Sequence, residues 1–171
     1  LIIGSGGYIG SRLMKEMQAT GVDINWFKKG RKDVDFKDLT RDYYSEFDNI
    51  ILLAGHSSVK MSEGGLNSCF NNNVRNFIDL IEKLDKQKLI YASSSTAHEP
   101  WKNPYAMSKY SMEQLYHNNS VGLRFTTIYG PGARVNMLIP KILRNDIQYI
   151  NINHIRDFIH VNDIVSAVDI M

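Results

Sequence analysis

Leu1-Ile-Ile-Gly4-Ser-Gly-Gly7-Tyr-Ile-Gly10 opens the chain and decides its fold, because three aliphatic residues run directly into a turn with a glycine at every third position. From Tyr8 to Ala19 the apolar residues Ile9, Leu13 and Met17 recur at helical spacing, so the stretch predicts strand, loop and helix in succession. Side chains at such a turn would hold a ligand away from the backbone, and glycine removes them. The helix behind the turn offers backbone N–H groups and the positive end of a dipole, a combination that suits a pyrophosphate. The 4, 7, 10 rhythm differs from the G-x-G-x-x-G fingerprint, so the turn takes its weight from the motifs further along the chain.

Val22 to Phe27 predicts a second strand, and Asn49 to Ala54, Asn-Ile-Ile-Leu-Leu-Ala, is a continuous apolar run of the kind buried on both faces of a parallel sheet. Lys88 to Ser93 and Val121 to Thr127 repeat the pattern. Between them, Asn71 to Leu84 places Val74, Phe77, Leu80, Ile81 and Leu84 on one stripe, and a second helix is expected from about Pro104 to His117. Strands alternating with helices imply right-handed crossovers and hence an α/β fold, a Rossmann-like doubly wound parallel sheet. Residues 1–132 are expected to form this dinucleotide-binding domain, catalytic helix included. After Gly130-Pro131-Gly132 the texture changes. Asn136 to Arg144 reads as helix, Ile147 to Ile152 as strand, and Asp163 to Met171 as a helix begun by Asn162 or Asp163. Residues 133–171 would then start a reduced C-terminal lobe. A strand already under way at Leu1 and a helix still forming at Met171 give the chain the look of a fragment.

A hydrophobic share of 43% with 22% charged residues belongs to a chain able to bury a core. The net charge of +2, from 20 basic and 18 acidic residues, is too slight to mark nucleic acid or a membrane surface as a partner. No apolar run approaches the ~20 residues that span a bilayer, and Leu1-Ile2-Ile3 lacks the basic start of a signal peptide. The single Cys69 excludes an internal disulfide, fits a reducing cytoplasm and is expected to be buried and idle. His56, His98 and His160 lie in separate segments without ligand spacing; they are assigned to loops and packing, and no metal is expected.

Two further clusters carry chemistry. Eighteen residues after Gly10, at the end of the expected second strand, an acidic residue would accept hydrogen bonds from an adenosine ribose. Lys28 stands there instead, with Lys29 and Arg31 beside it. Cations so placed suit a phosphate dianion and favour NADP(H) over NAD(H); the competing reading is a solvated basic loop. Asp35 and Phe36 come next, a carboxylate and an apolar ring able to bracket an adenine, and Ala54-Gly55 closes a strand at the sheet edge where ligands of open α/β sheets collect. Further on, Ser93-Ser94-Ser95 precedes Asn103-Pro-Tyr105-Ala-Met-Ser-Lys109. A spacing of four places Tyr105 and Lys109 on one helix face, where the ammonium favours ionisation of a phenol whose ordinary pKa is ~10. Loop, serines and pair together describe a nicotinamide-dependent enzyme.

In this order the motifs resemble those of the extended short-chain dehydrogenase/reductase family, the nucleotide-sugar epimerases, dehydratases and reductases. Gly4 to Gly10 looks like the family's cofactor loop, Leu52-Leu-Ala-Gly-His56 like one of its strand ends, and Asn72-Asn73-Val74 like its next helix. Leu123-Arg124-Phe125 with Ile128-Tyr129-Gly130-Pro131-Gly132 resembles the strand and turn beside the nicotinamide, and Arg156 to Val161 with Asp163 resembles a late signature. The resemblance spans nearly the whole chain. It implies that Tyr105 is the general acid/base, that Lys109 supports it and binds the nicotinamide ribose, and that Ser95 holds the reacting oxygen. Ser94 is the nearest competitor for that last role, and Ser93 is read as structural. The expected cofactor set is Gly4, Gly7, Tyr8, Ile9, Gly10, Lys28, Lys29, Arg31, Asp35, Phe36, Ala54, Gly55, Tyr105, Lys109 and Ile128, around NAD(P).

The chain departs from the family beside the substrate. Ser95 is followed by Thr96-Ala97-His98-Glu99-Pro100-Trp101, and Tyr105 arrives only ten residues after Ser95, so the pocket is trimmed or residues are missing from the chain. Trp101 either stacks on a sugar or uracil ring or covers the core. The Asp-Glu pair of the sugar 4,6-dehydratases does not follow Ser95, which favours an epimerase or ketoreductase. The resulting expectation is a cytoplasmic NAD(P)-dependent enzyme moving hydride at a sugar carbon of a nucleotide sugar. The resemblance also implies a homodimer paired through the helices near Tyr105 and Asn71. The alternative is a dinucleotide-binding module without catalysis that senses redox state or scaffolds a partner; the reduced lobe suggests it, and the retention of Ser95, Tyr105 and Lys109 opposes it.

Overall fold

Each aliphatic run ahead of Thr126 becomes a strand of one parallel sheet: β1 (Ile2–Ile3), β2 (Gly21–Val22), β3 (Asn49–Leu52), β4 (Lys88–Ser94) and β5 (Ser120–Phe125), in the order β2-β1-β3-β4-β5. The computed structural model describes residues 1–24, 34–57, 59, 65–115, 118–149, 151–153 and 155–171, in two compact units, Leu1–Phe125 and Thr126–Met171. All four ladders of the sheet are parallel, and the helices Gly10–Glu16, Arg41–Ser45, Leu66–Phe70, Asn76–Ile81 and Pro104–Gln114 lie in its connections. This is the doubly wound α/β arrangement expected from alternating runs. The strand order reverses between β1 and β3, which opens a crevice beyond their C-terminal ends, where open α/β sheets take ligands.

Strand alternation builds the core. Leu1 and Ile3, Ile50 and Leu52, and Leu89 and Tyr91 gather into one buried cluster with Phe77, Leu80 and Met112 from the helices. Each such side chain contributes about 1.5–3 kcal/mol on burial. Tyr44 is fully buried in the same cluster, and its hydroxyl is satisfied by donating to Phe36 O at 2.7 Å.

Several elements end elsewhere than expected. The first helix starts at Gly10 rather than Tyr8, because the Gly7 N–H closes a turn onto Gly4 O at 3.0 Å, and it stops at Glu16 where Met17 becomes extended. The expected helix from Asn71 to Leu84 begins earlier, at Leu66, and carries a π-helical segment, Asn71–Arg75, between its two α-helical parts. Among the described residues β2 pairs with β1 over Gly21–Val22; residues 25–27 of the expected strand lie outside the described residues.

In the second unit Thr127–Tyr129 pairs in parallel with Phe158–His160, so the run expected to continue β5 to Thr127 instead enters a separate two-stranded sheet. The described residues of Ile147 to Ile152 form no strand: Tyr149 and Ile152 are exposed, and the ladder goes to Phe158–His160. The last helix, Val161–Asp169, is capped by His160 and not by Asn162 or Asp163, with His160 Nδ1 accepting from Asn162 N at 3.3 Å. Val161, Ile164, Val165 and Val168 form its buried stripe. Among the described residues no helix is long and apolar enough to cross a membrane.

Candidate active site

The glycine turn is packed so closely that two of its glycines are obligatory. Gly4 has φ +88°, and a Cβ there would stand 2.6 Å from Ala54 N; at Gly10 it would stand 2.2 Å from Gly4 O. The result is a cradle of bare backbone ahead of a helix that no side chain caps, a form that fits a dinucleotide pyrophosphate. Gly7, Tyr8, Ile9 and Gly10 build this loop. Tyr8 is fixed by Arg12, whose Nη1 donates to Tyr8 O at 2.9 Å while its guanidinium lies 4.6 Å over the ring.

Five of the expected residues, Gly4, Asp35, Phe36, Ala54 and Gly55, line one cavity at the crevice. Asp35 also caps the turn Phe36–Asp38: Oδ1 accepts from Lys37 N at 3.1 Å and Oδ2 pairs with Lys37 Nζ at 2.9 Å, which raises the lysine above its ordinary range. Asp23 lines the cavity too, and its Oδ2 accepts from Gly6 N at 2.6 Å, tying the glycine loop to the end of β2. The sequence reading missed it by running the strand to Phe27; Val22-Asp23, at the end of the paired segment, is the signal that would have found it. Lys28, Lys29 and Arg31 lie outside the described residues. Ile128 belongs to the second unit, where it pairs with Ile159.

β4 delivers the serines. Ser94 Oγ accepts from Thr96 N at 3.2 Å and lies 2.9 Å from Thr96 Oγ1, so it caps the 3-10 turn Ser95–His98, while Ser95 begins that turn half-buried. The helix Pro104–Gln114 starts on Asn103, whose Oδ1 accepts from Ala106 N at 2.9 Å, with Pro104 pre-set for its first position. Tyr105 and Lys109 are both buried on this helix, at 7% and 4% exposure. Lys109 Nζ donates to Ala92 O at 2.8 Å, which brings the ammonium against the serine strand. Burial lowers its pKa to about 8, opposed by the nearby Cys69 and Glu113. Trp101 is 73% exposed and does not cover the core.

A side-chain network the sequence did not disclose holds this helix. Asn73, in the π-helical segment, accepts from His56 N at 2.8 Å and donates to His56 O at 3.3 Å and to Ser108 Oγ at 2.9 Å; Ser108 Oγ in turn donates to Tyr105 O at 2.8 Å. The clamp is close, since a Cβ on Gly55 would stand 2.7 Å from Asn73 Oδ1. Cys69 is fully buried beside it, with its Sγ 3.4 Å from Ser108 Oγ. Among the described residues no three His, Cys, Asp or Glu are grouped as metal ligands.

Comparison with known proteins places this geometry. The profile of the NAD dependent epimerase/dehydratase family matches residues 1–171. Protein CapI of Staphylococcus aureus is 28% identical over 98% of this chain and 67% of its own length, and the UDP-glucose 4-epimerase of Lacticaseibacillus casei is 28% identical over 74% of this chain and 49% of its own. The alignment with CapI is 225 positions long, more than the 171 residues here, so it opens gaps within this chain. Among solved structures, MoeE5 in complex with UDP-glucose and NAD superposes with a TM-score of 0.82 at 25% identity, covering 98% of this chain and 69% of that one.

Proposed function

For a chain that belongs to the NAD dependent epimerase/dehydratase family, we propose an enzyme that oxidises and re-reduces a carbon of a nucleotide sugar, with Tyr105 as acid/base and epimerisation as the net reaction. The observation that carries the reading is the burial of Tyr105 and Lys109 one helical turn apart, with the Lys109 amine against the serine strand at Ala92 O, 2.8 Å away. Gly4 to Gly10 would hold the pyrophosphate, and the cavity with Asp23, Asp35 and Phe36 would take the adenosine. Bound there, the dinucleotide would supply a hydride acceptor and donor. Tyr105 removes the proton from the sugar hydroxyl as its carbon is oxidised and returns it on reduction. The Lys109 ammonium stabilises the phenolate, and the Ser95 hydroxyl donates to the reacting oxygen.

The nucleotide-sugar class is supported by the UDP-glucose and NAD bound to MoeE5 and by the kinship to a UDP-glucose 4-epimerase. We also propose NAD(H) as cofactor, against the NADP(H) expected from the basic cluster, because the Asp23 carboxylate at the end of β2 lines the expected adenosine cavity and would repel a 2′-phosphate. The test is turnover of UDP-glucose followed by chromatography of the product sugar nucleotide, in the natural chain and in Tyr105→Phe. Loss of about 10²–10⁴-fold in kcat with NADH binding intact is the expected result. Unchanged turnover in the variant would remove Tyr105 from the chemistry, and NADH binding without turnover of any sugar nucleotide by the natural chain would favour the non-catalytic module.

A further inference from the structure

One turn beyond Lys109, the same helix carries Glu113, a carboxylate with 13% side-chain exposure that the reaction above does not use. Arg124 of β5 grips it in bidentate fashion, Nε to Oε1 at 2.9 Å and Nη2 to Oε2 at 2.6 Å. From β4 the Ser93 hydroxyl donates to Oε1 as well. Ser93 and Arg124 are direct partners in the β4–β5 ladder, so two neighbouring strands present their polar groups to Glu113 side by side. The residue before Ser93 is Ala92, whose carbonyl accepts the Lys109 amine. Two consecutive residues of the serine strand therefore fasten two consecutive turns of the helix.

We propose that Glu113 is a positioning residue: held by Ser93 and Arg124, it fixes the rotation of the Tyr105 helix against β4 and so sets Tyr105 and Lys109 in register with Ser95. The inference rests on the reading of Tyr105 and Lys109 as the catalytic pair. Apolar contacts such as those of Ala106 and Met112 oppose separation of helix and sheet but resist rotation only weakly, whereas three directional hydrogen bonds to one carboxylate oppose it directly. Such a restraint matters because a misplacement of about 1 Å at a reacting group costs on the order of 10²-fold in rate.

The same carboxylate acts on the charge of Lys109. The groups acting on that amine are Glu113 and Met112 Sδ, 3.8 Å away, on its own helix, Cys69 from the helix Leu66–Phe70, and the Ala92 carbonyl of β4; Arg124 of β5 is engaged with Glu113. Glu113 favours the ammonium, and its neutralisation leaves burial unopposed from that side.

The experiment is an NMR pH titration of Lys109, in protein carrying 13C-lysine and without cofactor, paired with kcat and the NADH dissociation constant, for the natural chain, Glu113→Gln and Ser93→Ala. In Glu113→Gln the Lys109 midpoint moves to lower pH, so the neutral fraction at pH 8 rises from about half towards one, up to about twofold. Its kcat falls at least about tenfold while NADH affinity stays within about twofold. Ser93→Ala, which keeps the ion pair, lowers kcat by a smaller factor and leaves the titration in place. An unmoved Lys109 midpoint in Glu113→Gln, or kcat within about twofold of the natural chain, overturns the proposal. If Glu113→Gln does not fold, Ser93→Ala decides, and natural kcat in that variant overturns it. Failure of the catalytic reading looks different: Tyr105→Phe then retains turnover, while the Lys109 midpoint still reports whether Glu113 faces the amine.

Discussion

The Lys109 ammonium is 4% exposed and has one backbone acceptor at 2.8 Å, and burial holds its pKa near 8, well below the ordinary lysine value of 10.5. Between those two pH values the unfolded chain binds more protons than the folded one, so stability rises with pH across that window. Below about pH 8 both states are protonated and the full cost of burying the charge is present. Replacing the lysine by methionine removes that cost and leaves the Ala92 carbonyl unpaired, a smaller loss. We expect Lys109→Met to raise the unfolding free energy by about 1–2 kcal/mol at pH 7, with the gain gone above about pH 10.5, and to abolish turnover. Urea denaturation of both proteins at the two pH values checks this; a destabilised variant at pH 7 would mean that the Ala92 bond outweighs desolvation. That Tyr105 and Lys109 lie on one helix, a turn apart, was legible in the sequence because helical spacing alone puts residues four apart on one face. Asp23 was not, because its place at the cavity depends on β2 pairing with β1 only as far as Val22.

Elements whose boundaries are set by their own composition were read closely. Asn49–Leu52 and Lys88–Ser94 are buried apolar runs, and they became strands at nearly the expected residues. Where a boundary depends on a partner, the sequence was silent: Ile147 to Ile152 has strand composition but its described residues join no ladder, and Phe158–His160, more polar, pairs with Thr127–Tyr129. The π-helical segment Asn71–Arg75 also escaped, because the apolar stripe through Val74, Phe77 and Leu80 shows that a helix is present without revealing one extra residue in a turn. That segment carries Asn73, which clamps the loop after β3 to the first turns of the Tyr105 helix through His56 and Ser108. Truncation takes the partner from the part-buried His56 N–H and His56 carbonyl at once and removes one donor to the buried Ser108 hydroxyl, which keeps its bond to Tyr105 O. Asn73→Ala should therefore destabilise the protein by about 2–3 kcal/mol in urea unfolding, with kcat lowered because Tyr105 loses its tie to β3. A loss under about 0.5 kcal/mol would show that water replaces the amide and that the segment is no clamp.

At the scale of the molecule, the buried core and the residues proposed to recognise the cofactor fall on the same side of Phe125. The buried cluster from Leu1 to Met112, the glycine loop, the cavity with Asp23 and Asp35, and the pair Tyr105 and Lys109 all lie within Leu1–Phe125. Among the described residues the five strands of the parallel sheet all belong to Leu1–Phe125, and the two-stranded sheet of the second unit draws both strands from its own residues. A five-stranded sheet with helices in its connections and a continuous core has the parts an independent domain requires. Residues 1–125 alone should then unfold in one cooperative urea transition and bind NADH within about tenfold of the whole chain, the allowance covering contacts such as that expected of Ile128. Turnover of UDP-glucose by residues 1–125 is the companion measurement, and its retention would place the whole reaction within the first unit. If 1–125 melts without a cooperative transition, the first unit does not fold by itself. If it folds but binds no NADH, dinucleotide recognition extends past Phe125, and the reading of the crevice between β1 and β3 as a sufficient binding site is wrong.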